Sequence, residues 1–256
     1  MSNSLDAVTR LELIKRFRKI QRKTSGIRAG VEQTIYVFDA IERPNVFDLL
    51  CIVPIKNNKI TYTYKIVKLP KTLTSLTAED EALIVNTFTD PEKPTKMIKI
   101  TAKILGSRIQ DVYSVEEYEP EIKVTKNSDV RLLLIIDDIE IPMMIGELER
   151  TRKGTSFWVN LEKEGRYYIS DITLRGAIAT DVFEDGDIIA FIGVINETGV
   201  LPTIMGISWY KVASGKEVSE ILKQQEEQQE EMTEEVEEEE TEKQQEQEEW
   251  EKEFSG

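Results

Sequence analysis

The stretch "ISDITLRGAIATDVFEDGDIIAFIGVI" (residues 169–195) decides how this chain folds. It begins in strand-like residues and passes through "GAIATDVF" (176–183), short and helix-like. It then turns at "EDG" (184–186) and ends in the apolar run "DIIAFIGVI" (187–195). One helix therefore sits between two strands. Working outward, "RLLLIID" to "MMIGELER" (131–150), "SFWVNLE" (156–162) and "YYISDITLR" (167–175) precede the helix as strands, and "TIMGISWYKV" (203–212) closes the set. The order is β-β-β-α-β-β.

The same order occurs upstream. "QTIYVFDAI" (33–41), "VFDLLCIVPI" (46–55) and "ITYTYKIVKL" (60–69) are rich in β-branched and aromatic residues, with turn-like "RPN" (43–45) and "KNN" (56–58) between them. "LTAEDEALIVNTF" (76–88) predicts a short helix, because Thr77 can cap it and acids fill its first turn. "KMIKITAKIL" (96–105) and "IQDVYSVEEY" (109–118) follow as strands, and a polar link near 119–130 joins the two units. Five short strands with a helix between the third and fourth is the layout of the OB-fold, a Greek-key barrel whose strand 2–3 face and loops bind oligonucleotides or oligosaccharides.

The second unit carries more than a layout. Ile172–Gly176, the turn residues Phe183, Gly186 and Asp187, and Ile188–Gly193 resemble the OB domains of archaeal single-stranded-DNA-binding proteins and of replication protein A. There an "ITLWG"-type strand leads to a short helix, an acidic "F-x-x-GD" turn and a "V-I-x-I" strand. "GELERTRKGTSFWVNLE" (146–162) resembles the first two strands and their basic loop. The family often places tryptophan where this chain has Arg175, and the zinc-ribbon cysteines of some relatives are absent. The first unit matches in layout only.

The expected fold is mainly β: two tandem five-stranded OB-fold barrels, an N-terminal amphipathic helix, and an acidic C-terminal tail, disordered or helical. The boundaries are 1–28 for the basic helix, 29–120 for the first barrel, 121–215 for the second and 216–256 for the tail. In "LDAVTRLELIKRFRKIQRK" (5–23), Leu13, Ile14, Phe17 and Ile20 recur at helical spacing beside Arg16, Lys19, Arg22 and Lys23. This reads either as a helix packed on the first barrel or as a basic arm.

Alternation proposes a binding surface. Phe157, Val159 and Leu161 share one parity and face the core, so Trp158 faces outward. If Ile172 and Leu174 point inward, Arg175 points out, and the same parity puts Tyr167 outward too. Arg150, Arg152 and Lys153 lie on the adjoining loop, with Arg166 nearby. Exposed aromatics flanked by cations suit sequence-tolerant binding of single strands, at roughly 1–3 kcal/mol per stacked base. The competing reading is that domain packing or the N-terminal helix covers Trp158. Of Trp209 and Tyr210, alternation makes one a core residue.

Charge is unevenly placed. The chain carries a net −15, but Lys216–Gly256 holds 18 Glu against 4 Lys, and residues 1–30 hold 8 Lys/Arg against 2 Asp/Glu. The tip "EEWEKEFSG" (248–256) sets Trp250 and Phe254 four residues apart in an acidic run. Bacterial and phage single-stranded-DNA-binding proteins end in aromatic-tipped acidic tails, and this tail is similar in style. The resemblance implies recruitment of replication or repair proteins, while the plain alternative is a solubilising end.

Other chemistry is thin. Histidine is absent, which removes Ser-His and Cys-His pairs and His metal ligands. Cys51 is the lone cysteine, so no intrachain disulfide forms, in keeping with a reducing, cytoplasmic setting. No phosphate-cradling glycine loop is present. "DVFEDGD" (181–187) lacks calcium-loop spacing, and no apolar run reaches the ~18 residues of a membrane span. The expectation is a non-enzymatic single-stranded-DNA-binding protein of replication, repair or recombination, without cofactor. The alternatives are an assembly module of a nucleoprotein or viral complex, and an RNA-binding protein.

Overall fold

The computed structural model describes residues 32–56, 60–126, 130–161 and 165–224. The helix expected over 1–28 and the tail beyond 224, with Trp250 and Phe254, lie outside them. The chain is mainly β, with two closed five-stranded barrels.

In the first barrel, β1 (Glu32–Arg43), β2 (Val46–Lys56), β3 (Ile60–Pro70), β4 (Met97–Leu105) and β5 (Arg108–Tyr118) close in the order β1-β2-β3-β5-β4. All pairs are antiparallel except β3 with β5. Strand alternation turns Ile35, Leu49, Val67, Ile100 and Ile104 inward. Helix α1 (Ala78–Phe88) adds Ile84 and Phe88 to that core. Its start follows from the sequence: Thr77 accepts from the Asp80 N–H at 3.1 Å, and Asp80 accepts from the Thr77 N–H at 2.9 Å. This reciprocal box satisfies two N-terminal donors.

The second barrel repeats the plan with β9 (Met144–Arg150), β10 (Phe157–Leu161), β11 (Gly165–Ile169), β12 (Ile188–Asn196) and β13 (Thr203–Ala213), ordered β9-β10-β11-β13-β12. Helix α2 (Leu174–Val182) again lies between the third and fourth strands. Leu148, Phe157, Val159, Ile169, Phe191 and Trp209 fill the core, so Trp209 is the buried member of its pair and Tyr210 is exposed. Strand order and helix position in both barrels are consistent with an OB-fold. Residues 215–224 form a further helix, α3.

Residues 121–142 depart from the expected division. They do not start the second barrel; β6 (Glu121–Lys126), β7 (Val130–Ile136) and β8 (Ile139–Pro142) form a separate three-stranded sheet. Asp137, in the left-handed region at φ 49°, makes the β7–β8 turn. It accepts from the hydroxyls of Tyr36 and Tyr118, which ties the turn to the first barrel.

A shared core joins these parts. The outer side of the first barrel (Tyr36, Phe38, Leu50, Ile52) packs against Leu134, Ile136 and Ile141 of the small sheet and Ala190 and Ile192 of β12. Strands β1, β2 and β12 are therefore buried on both sides, which is why "IYVF", "LLCIV" and "IIAFI" read as unbroken apolar runs. At Gly206 (φ 68°) the second barrel comes so close that an added Cβ would sit 2.7 Å from a Leu50 methyl and 2.9 Å from Asp39 Oδ2. No helix among the described residues is long and apolar enough to cross a membrane.

Candidate nucleic-acid interface

Strands β9, β10 and β11 present a two-by-three grid of outward side chains. Register sets Glu149, Trp158 and Tyr168 in one row and Glu147, Asn160 and Arg166 in the next. Their inward neighbours Leu148, Phe157, Val159 and Tyr167 are buried, as pleating requires. Trp158 and Tyr168 are half-buried and meet edge-to-face, with ring centroids 5.6 Å apart. The Arg166 guanidinium lies over the indole, 4.7 Å from its centroid. It reaches across to Glu149 at 2.6 Å, with both side chains about half exposed. Asn160 donates its amide to the other Glu149 oxygen at 3.3 Å.

Two loops flank the grid. Residues 151–156 join β9 to β10. There the Thr151 N–H donates to Ser156 O (2.9 Å) and the Gly154 N–H to Thr151 O (2.8 Å), which leaves Arg152 and Lys153 exposed at the tip. On the other side, residues 197–202 expose Val200 and Leu201, and the Tyr168 N–H donates to Pro202 O at 2.8 Å.

The grid contains some of the expected residues and corrects others. Trp158 faces outward as alternation predicts, and Arg152, Lys153 and Arg166 are exposed beside it. Tyr167 is not on this surface: it is 5% exposed and inside the barrel, and Tyr168 takes its place. Arg150 does border the face, but its guanidinium holds the loop, donating to Gly154 O (2.8 Å) and Phe183 O (3.1 Å) over the Phe157 ring.

Arg175 is the largest correction. β11 ends at Ile169, and Thr173 caps α2 by accepting from the Gly176 N–H. Arg175 is therefore a first-turn helix residue, 1% exposed, at the seam between the barrels. Its guanidinium donates to the carbonyls of Thr87 (2.9 Å), Lys96 (2.8 Å), Lys93 (3.3 Å) and Pro94. Burial lowers its pKa to about 10, and the charges of Asp39 and Asp90 oppose that shift. Ile172, expected inward, is exposed for the same reason: it lies in the turn before the cap.

The acidic turn is structural. Buried Asp187 accepts from the Glu184 and Gly215 N–H groups and pairs with Lys211 at 2.7 Å. Among the described residues no group of three or more His, Cys, Asp or Glu is placed to hold a metal.

Tyr168 and the acids Glu147 and Glu149 are grid members that sequence reasoning missed. All three were within reach of alternation from Trp158 once β9 and β11 were paired with β10 in register. No family model matches the chain, and no curated protein and no solved structure matches it.

Proposed function

We propose that the second barrel is an OB-fold that binds single-stranded nucleic acid across β9–β10–β11, with DNA as the principal ligand. The observation that carries this reading is the outward-facing, half-buried Trp158–Tyr168 pair, set between a cationic turn and the 197–202 loop. That is where a barrel of this strand order offers its strand 2–3 face. Bases stack on the aromatics, and Arg152 and Lys153 meet phosphates. The acids Glu147 and Glu149 keep the phosphate path off β9. The resemblance of residues 146–195 to single-stranded-DNA-binding domains supports a role in replication, repair or recombination. The aromatic-tipped acidic tail supports partner recruitment.

The test is a titration of the full chain, following tryptophan fluorescence, with oligo-dT, oligo-U and duplex DNA. Tighter binding of dT than of U or duplex is expected, and Trp158→Ala should weaken it by about 1–3 kcal/mol. Unchanged affinity in a folded Trp158→Ala protein would overturn the assignment.

A second reading, an assembly module, is favoured by one observation. The corresponding face of the first barrel, with Tyr62 and Tyr64, packs against other parts of the chain. Absence of binding to every oligomer would favour it.

A further inference from the structure

The grid holds an acceptor that stacking alone does not use. Glu149 lies beside Trp158 in register, its carboxylate fixed at one oxygen by Arg166 and at the other by Asn160. A carboxylate offers about four lone-pair sites, so this one retains acceptor capacity. Arg166 itself is informative. A planar guanidinium lies over an indole and sets one terminal nitrogen, Nη2, against a carboxylate oxygen. Among the bases, guanine alone resembles a guanidinium in chemistry: it is a flat ring that can stack, and its N1–H and exocyclic N2 amine form a guanidine-like edge with two adjacent donors. Adenine and cytosine set one amine beside a ring acceptor, and thymine and uracil set one N–H between two carbonyls. Each of those places an acceptor against the Glu149 oxygens.

We propose that Trp158, Tyr168 and Glu149 form a guanine-selective subsite. This rests on the reading of the face as a strand-binding surface. An entering guanine takes the place of the Arg166 guanidinium, stacks on the indole and donates N1–H and N2–H to Glu149. Arg166 is displaced outward. An exposed ion pair of this kind is weak and its exchange is inexpensive. Asn160 keeps the carboxylate oriented during the exchange.

The experiment compares oligo-dT of fixed length carrying one central dG, dA, dC or inosine, using the full chain and a Glu149→Gln variant checked by thermal melting. Guanosine monophosphate is titrated in parallel. Parent protein should prefer dG over dT by on the order of tenfold, the scale of a good two-point base contact. Inosine, which lacks the N2 amine, should lose most of that preference. The dG/dT ratio should fall to about one in Glu149→Gln. Guanosine monophosphate binding as tightly as the dG oligomer would identify a free nucleotide as the source of the base; much weaker binding would identify the strand.

Equal affinity of the parent for all four bases, or a preference that survives in Glu149→Gln, would overturn the subsite while leaving stacking intact. If neither oligomers nor the mononucleotide bind, the strand-binding reading and the subsite fall together. The inosine comparison needs no variant, so a poorly folded Glu149→Gln protein does not rescue the idea.

Discussion

The main-chain N–H of Arg175 donates to Oδ1 of Asp39 at 3.1 Å, which joins the second barrel's helix to the first barrel's opening strand. The Arg175 side chain continues past this point into a set of carbonyl oxygens belonging to α1 and the 93–96 segment. Two buried opposite charges and their acceptors thus fasten the barrels together. Arg175→Ala is expected to cost about 3–5 kcal/mol, because Asp39 keeps its main-chain N–H bonds but stays buried without the opposing charge, and several carbonyls are left without a donor. Chemical denaturation measures this. A loss of stability no larger than that of a surface substitution would show that water takes over the guanidinium's place.

Asp39 also gives a pH signature. Burial raises its pKa from 3.8 to about 6, against the opposing pull of the Arg175 N–H and charge and the Ala40 N–H. Between these two values the folded state holds the proton more tightly than the unfolded state. The contribution of this group to stability therefore falls as pH rises from about 4 to 6, and is level above that. Stability curves of the parent and Asp39→Asn proteins, subtracted, should decline across that window. A difference that rises with pH would contradict the assignment.

Tyr167 and Tyr168, adjacent in sequence, should separate fold from binding. Tyr167→Ala empties a core site and is expected to destabilise by about 3–5 kcal/mol. Tyr168→Ala should weaken oligonucleotide binding by about 1–3 kcal/mol with a smaller effect on stability. Paired melting and fluorescence titrations of the two variants decide it, and the reverse pattern would invert the two faces of β11.

Salt dependence tests the 151–156 turn. Replacing Arg152 and Lys153 with Gln should reduce the slope of log affinity against log salt by roughly 0.7 for each phosphate that is no longer neutralised. An unchanged slope would move the phosphate path elsewhere.

Gly176 supplies a backbone test of the seam. A Cβ there would meet Ser170 O at 2.0 Å and Thr173 Oγ1 at 2.5 Å. Gly176→Ala should therefore displace the first turn of α2 and carry Arg175 with it. The expected result is a drop in melting temperature comparable to that of Arg175→Ala; a neutral substitution would show that the cap relaxes freely.

Local periodicity carried much of this structure. The Phe157–Leu161 alternation placed Trp158 correctly, and the Thr77 cap marked the start of α1. The same logic does not reach Arg175, because strand parity does not pass through "SDIT" (170–173), where Thr173 ends the extended chain by capping a helix. Tyr167 differs from expectation for the same reason, since residues 172–175 lie beyond that turn and do not share the parity of β11. The small sheet was hidden for another reason: β6 alternates polar and apolar like a link, and "DD" (137–138) breaks what reads as one apolar stretch into β7 and β8. The Asp39–Arg175 hydrogen bond joins residues 136 positions apart, and no local pattern reports a partner at that distance.

The shared apolar seam has a consequence for the chain while it is being made. The first barrel is complete once Tyr118 has been synthesised, but the β12 and β13 residues that cover Phe38, Leu50 and Ile52 come much later. At ordinary translation rates that interval is roughly 5–20 s. During it the nascent protein displays a greasy flank that the arriving β7–β8 hairpin shields only in part, so the half-made molecule has more need of a chaperone than the finished one.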